Sequence, residues 1–154
     1  MAIELSKLLC PESIELDLSG KKKPEIIREL VEVVSRGEAM DDTDALYDAI
    51  MEREELVSTG IGNGIAIPHC MTSSINTTRM AFGRKKEGVK FDSVDNQPVS
   101  LFFLLVGPEG NPNHHLQILS KLARYLHDES FCRSLLEAGS PGEVLDAFRT
   151  RENH

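Results

Sequence analysis

The sequence predicts an α/β layered fold, and three observations carry that prediction. Short apolar runs recur, the strongest being V-S-L-F-F-L-L-V at Val99 to Val106, apolar enough for a central strand. Around them lie segments with apolar residues at helical spacing, such as Ile26, Ile27, Leu30, Val31 and Val34. Gly, Pro and Asn clusters punctuate the two kinds of segment. Strands interleaved with helices pack as layers of sheet and helix. The 154 residues are 40% hydrophobic and 27% charged, an ordinary globular composition. With no internal repeat or linker, residues 1–154 are read as a single domain with one substantial core.

In order, a short helical turn is expected around Leu5 to Leu9, then a half-buried strand from the alternation of Ile14, Leu16 and Leu18. Pro24 opens a helix that closes at Gly37. Asp41 to Asp44 supply N-cap candidates for a second helix, with Leu46, Ala49 and Ile50, running towards Arg53. Met71 to Thr78, polar and rich in Ser and Thr, reads as a loop. Arg79 to Arg84 and Val99 to Val106 read as strands, joined by an excursion with a turn at Asp95-Asn96. Gly107 to Pro112 breaks the chain. A helix then runs from about Asn113 to His127, with His115, Leu119, Leu122 and Leu126 on one face. His114 falls on another face with Ile118 and Tyr125, and is expected at the surface. Another helix spans Asp128 to Ala138. The last starts at the capping box Ser140-Pro141-Gly142-Glu143 and ends near Arg149, leaving a frayed tail from Thr150.

The chemistry concentrates in Arg53 to His69, R-E-E-L-V-S-T-G-I-G-N-G-I-A-I-P-H. Gly60, Gly62, Asn63 and Gly64 allow a sharp turn exposing successive N–H groups, an anion-binding concavity to which Ser58 and Thr59 add hydroxyl donors. Pro68 biases Ile67 towards extended backbone, so His69 is expected at the end of a short strand beside that cradle. An imidazole next to an anion site points to phosphoryl chemistry on histidine. The plainer alternative is a turn followed by a structural histidine.

The run S-T-G-I-G-N-G-I-A-I-P-H resembles the active-site signature of the fructose/mannitol/nitrogen-type (type 2) enzyme IIA domains of the bacterial phosphoenolpyruvate-dependent phosphotransferase system. H-L-Q-I-L-S-K-L-A, from His115, is similar to that family's second-histidine motif, and Arg53 matches a basic residue before the Gly-rich loop. The resemblance implies a three-layer α/β/α fold with a mixed, mostly parallel sheet. It also implies His69 as phosphoryl acceptor, His115 as auxiliary residue and Arg53 as charge stabiliser, with no cofactor or metal. The implied donor is phospho-HPr or its nitrogen-branch paralogue. The implied recipient is a IIB component, for sugar transport, or a target protein in nitrogen regulation; the regulatory subtype is favoured. Many relatives carry a basic residue soon after the active histidine, whereas this chain has Cys70-Met71-Thr72. That departure bears on partner specificity.

The formal net charge of −8 argues against a nucleic-acid or anionic-membrane binder. No apolar run approaches a bilayer span, and the N-terminus lacks the pattern of a signal peptide. Cys10, Cys70 and Cys132, odd in number and without metal-type spacing, fit reduced thiols. The expectation is therefore a cytoplasmic protein that meets a membrane only through a transporter. Two other classes compete: a metal-dependent hydrolase built on His69, His114 and His115, and an interaction module that has lost phosphorylation. A Cys70–His115 pair is a further, weaker option, since Cys70 and His69 point to opposite faces of an extended segment.

Overall fold

The strand Val99–Pro108 is the one to which most of the sheet is attached. The computed structural model describes residues 3–56 and 60–153. Its strands are β1 (Ile14–Glu15), β2 (Gly60–Gly62), β3 (Ile65–Ala66), β4 (His69–Thr72), β5 (Arg79–Val89) and β6 (Val99–Pro108). Its helices are α1 (Lys23–Gly37), α2 (Thr43–Leu56), α3 (Pro112–Leu126), α4 (Glu129–Glu137) and α5 (Pro141–Glu152). The sheet order is β1-β5-β6-β3-β2, with β4 also pairing β6. The pairs β1–β5, β3–β6 and β4–β6 are parallel, while β5–β6 and β2–β3 are antiparallel.

Alternation along β6 builds the two sides of the fold. Leu101, Phe103 and Leu105 face a core closed by Ile118, Leu122 and Tyr125 of α3, Leu135 of α4 and Phe148 of α5. Phe102, Leu104 and Val106 face the other core, closed by Ile26, Leu30 and Val34 of α1 and Ile50 of α2. The result is the three-layer α/β/α architecture with a mixed sheet.

β3 and β4 are one strand interrupted. Ile65 lies opposite Leu101, Ala66 opposite Phe102, His69 opposite Leu105 and Thr72 opposite Pro108, a single register throughout. The break falls at Ile67–Pro68, because proline has no N–H for the ladder. The Pro68 carbonyl still accepts from the Leu105 N–H at 3.0 Å.

Caps set the helix starts. The Asp42 carboxylate accepts from Ala45 N–H (3.0 Å), Asp128 from Ser130 N–H (3.0 Å), and Ser140 Oγ from Glu143 N–H (3.2 Å). The far end of α4 is closed by a strand residue. Arg84 of β5, 7% exposed, donates to the carbonyls of Leu135, Leu136 and Ala138 and to that of Leu16. A buried cation thus meets the negative end of a helix.

Four expectations need correction. His69 opens a strand, and Met71 and Thr72, read as loop, belong to it, because parallel pairing with β6 outweighs their polarity. Only Ile14 and Glu15 of the N-terminal alternation are strand; Leu18 is held separately by its N–H on the Arg84 carbonyl at 2.9 Å. β5 runs on past Arg84 to Val89 through a register shift. The tail from Thr150 is not frayed at its start: α5 reaches Glu152, whose carboxylate accepts from Ser6 N–H (2.7 Å) and Oγ (2.8 Å).

Candidate active site

The sheet edge at β4, the last turn of α2 and the first turn of α3 converge on His69. Pairing of β4 with β6 places the His69 side chain on the same face as Leu105, the face that α3 covers. Asn111 Oδ1 accepts from the His114 N–H at 3.3 Å and starts α3. His115 is thereby directed inward, and its ring centroid lies 5.7 Å from that of His69. From the other layer, Arg53 Nη2 reaches to 3.5 Å from His69 Nε2. A recess of about 540 Å³ joins these three residues, with Glu109, Met71 and Leu116 at its border.

The two rings have different surroundings. His69 Nδ1 lies 2.7 Å from the Ile67 carbonyl, an acceptor only, so Nδ1 carries the proton and Nε2 presents its lone pair. Burial pushes the His69 pKa below 6.5, with Arg53 adding to that; the Ile67 hydrogen bond and Glu54 oppose it. His115 is 5% exposed, and neither ring nitrogen has a hydrogen-bond partner. Burial, then the neighbouring His69, His114 and Arg53, lower its pKa to about 4. Both rings are neutral near pH 7. An unpartnered buried imidazole is costly.

The structure therefore brings His69, His115 and Arg53 together. The glycine cluster forms the hairpin that leads into β3. Gly60 and Gly62 pair with Ala66 and Ile65 in a hairpin whose tip carries Asn63 (φ 57°) and Gly64 (φ 78°). Gly64 lies five residue steps before His69, roughly 16 Å of strand, while Gly60, opposite Ala66, lies beside the middle of that stretch. The Asn63 N–H is already bonded to Asp95 Oδ2 at 3.0 Å, and Val94 N–H to the Gly60 carbonyl at 3.2 Å. Gly62, Asn63 and Gly64 form a turn clasped by the 92–98 excursion, which takes one of the expected cradle's N–H groups, that of Asn63. Ser58 and Thr59 lie outside the described residues. His114 is half-buried, but Ile118 and Tyr125, assigned to its surface face, are core: the apolar stripe of α3 is wider than the spacing from His115 marked out.

Sequence reasoning missed the Ile67 carbonyl, which has no side-chain signal, and the acid Glu54. Glu54 is buried in α2 and paired with Lys23 Nζ at 2.7 Å. Its position four residues after Ile50, on the buried stripe of the helix, was the available clue. Cys70 points away from His69 into the α1–α2 core, and burial raises its thiol pKa to about 12, so it offers no thiolate. Among the described residues no three His, Cys, Asp or Glu side chains gather closely enough to hold a metal ion. No helix of these residues is long and apolar enough to cross a membrane.

Comparison with known proteins converges on one family. Residues 7–150 match the family described as "Phosphoenolpyruvate-dependent sugar phosphotransferase system, EIIA 2". The chain is 40% identical over 150 residues to the fructose-specific EIIABC component of Bacillus subtilis, covering 97% of this chain and 24% of that protein. It is 38% identical over 145 residues to the fructose-specific EIIA component of Haloferax volcanii, covering 94% of each. The nitrogen regulatory protein IIA-Ntr of Neisseria meningitidis superposes with a TM-score of 0.87 at 33% identity, covering 94% of this chain and 98% of that one. IIA-mannitol from Escherichia coli, in a complex with phosphorylated IIB-mannitol, gives 0.77 at 28% identity over 93% and 98%.

Proposed function

The chain belongs to the EIIA type 2 family of the phosphoenolpyruvate-dependent sugar phosphotransferase system, and from that premise we propose that it is a phosphocarrier that takes a phosphoryl group on Nε2 of His69. The observation that carries this reading is the 2.7 Å contact from His69 Nδ1 to the Ile67 carbonyl, which leaves Nε2 as the free nucleophile. Nε2 attacks the phosphorus of a donor phosphohistidine; the Nε2–P bond forms as the donor's N–P bond breaks, and that electron pair returns to the donor ring. His69 keeps its Nδ1 proton, and the positive charge growing on the ring is met by the Ile67 carbonyl.

Arg53, already 3.5 Å from Nε2, pairs with the equatorial oxygens of the transferring group, where charge stabilisation governs the rate. His115 supplies an N–H to one of those oxygens; its protonated nitrogen gains the acceptor it lacks. Ser58 and Thr59 are assigned as further oxygen ligands on the sequence signature alone. Gly60, Gly62, Asn63 and Gly64 hold the hairpin that precedes His69.

The donor on this reading is phospho-HPr or its nitrogen-branch paralogue. Exposed Met71 and Leu116 beside the recess suit docking of a protein rather than a small substrate. The recipient is a IIB component or a regulatory target. Similarity to nitrogen regulatory proteins, with a TM-score of 0.87 to IIA-Ntr, supports the regulatory subtype, which we favour; higher identity to fructose-specific proteins, one of them matched along nearly its whole length, supports the transport reading. Both are cytoplasmic, and both take residues 1–154 as one domain without cofactor.

The deciding experiment mixes the protein with phosphoenolpyruvate, enzyme I and HPr or the nitrogen-branch paralogue, and follows intact mass. One acid-labile phosphoryl adduct, lost in His69→Ala and slowed in His115→Ala, is the expected result. Absence of an adduct with either donor would sink the carrier reading. Transfer onward to a fructose IIB then separates transport from regulation.

A further inference from the structure

We infer that Gly107 is a positioning residue for phosphoryl transfer, acting through His115. The inference rests on the role proposed above for His115. Gly107 lies in β6 directly opposite Met71 of β4, two residues on from the Leu105–His69 pair. Residues two apart in a strand share a face, so Leu105, Gly107, His69 and Met71 all present the side that α3 covers. Where Leu105 fills its place with a side chain, Gly107 leaves a notch, and the His115 ring occupies it. A methyl group built on Gly107 comes to 2.6 Å from His115 Nδ1, 3.4 Å from Cε1 and 3.5 Å from Cγ. Real Cβ contacts essentially never go below 3.0 Å, so something must shift, and the group met is the His115 ring.

The constraint is one of space. Gly107 is not among the glycines of positive φ, which are Gly62, Gly64 and Gly88, so its backbone is open to alanine. The ring has no hydrogen bond to hold it in place. Its position is therefore set by packing, and the floor of that packing is the bare Cα of Gly107. A ring displaced upward from the notch moves against His69 or towards solvent, and either way the donor is no longer where the phosphoryl oxygens arrive.

The test compares wild type, Gly107→Ala, His115→Ala and the double variant. Phosphoryl acceptance from phospho-HPr is read by mass, the imidazoles are titrated by nitrogen–proton NMR, and thermal melts are recorded. Gly107→Ala is expected to slow acceptance by roughly 10- to 100-fold, the effect of a small misplacement of a reacting group. In the His115→Ala background the same change is expected to matter by less than about twofold, because the ring it strikes is gone. The double variant is also expected to melt above Gly107→Ala. In Gly107→Ala, His115 is expected to titrate above its pKa of about 4. Equal slowing in both backgrounds, or wild-type acceptance with unchanged titration, would overturn the inference. If wild type accepts no phosphoryl group, the proposed function fails. The titration and melts then decide the packing claim alone, and an unmoved His115 in Gly107→Ala refutes it.

Discussion

His69 and His115 are chemically identical side chains made unlike by their neighbours. One has its proton pinned by a carbonyl 2.7 Å away; the other has no partner and a pKa of about 4. A histidine whose pKa is depressed on folding binds fewer protons than in the unfolded chain. Stability is then full above the unfolded value of 6.5 and is lost as pH falls through that value towards about 4. His69, shifted the same way, adds to the loss. The melting temperature is accordingly expected to drop between pH 6.5 and 4, and to drop less in His115→Asn, which has nothing to protonate. Melts across that range check it; an identical slope in the variant would count against a buried neutral His115.

Among elements, the hairpin and α4 show how side chains far along the chain hold backbone in place. Asp95 accepts from the N–H groups of Asn63 and Gln97 and from Ser93 Oγ, which keeps its carboxyl pKa low and ties the excursion to the glycine turn. Arg84 closes the carbonyl end of α4 across the β5 edge. Arg84→Ala leaves those carbonyls buried without their donor and is expected to cost about 3 kcal/mol. Chemical denaturation measures it, and a loss below about 0.5 kcal/mol, ordinary for a surface change, would show that the capping is unimportant.

Taken as a whole, the molecule places its site at the sheet edge where both helical layers meet. His69 comes from the sheet, His115 from the α3–α5 layer and Arg53 from the α1–α2 layer. The second layer is locked next to the site by Lys23, which bonds Glu54 at 2.7 Å and lies 4.6 Å from the centre of the Phe91 ring. Lys23→Met removes the ammonium partner of a carboxylate that is 1% exposed, and is expected to destabilise the fold by about 1 kcal/mol or more. It is also expected to slow phosphoryl acceptance, since the turn it destabilises carries Arg53. Denaturation and the mass assay read the two effects, and full stability in the variant would refute the lock.

Much of this was legible in residue order because it is local. Helix starts follow from Asp42, Asp128 and Ser140, core faces from apolar spacing, and the histidine from the G-I-G-N-G-I-A-I-P-H run. Strand pairing is not local. Whether Met71 and Thr72 are loop or strand depends on β6, some 36 residues away in register. The glycine run turns a hairpin, and Asp95, remote in sequence, holds that turn by taking the Asn63 N–H. The meeting of Arg53 and His115 at His69, the lone pair on Nε2 and the notch at Gly107 arise from packing two helical layers against one sheet. Distances across that packing have no counterpart in the spacing of residues along the chain.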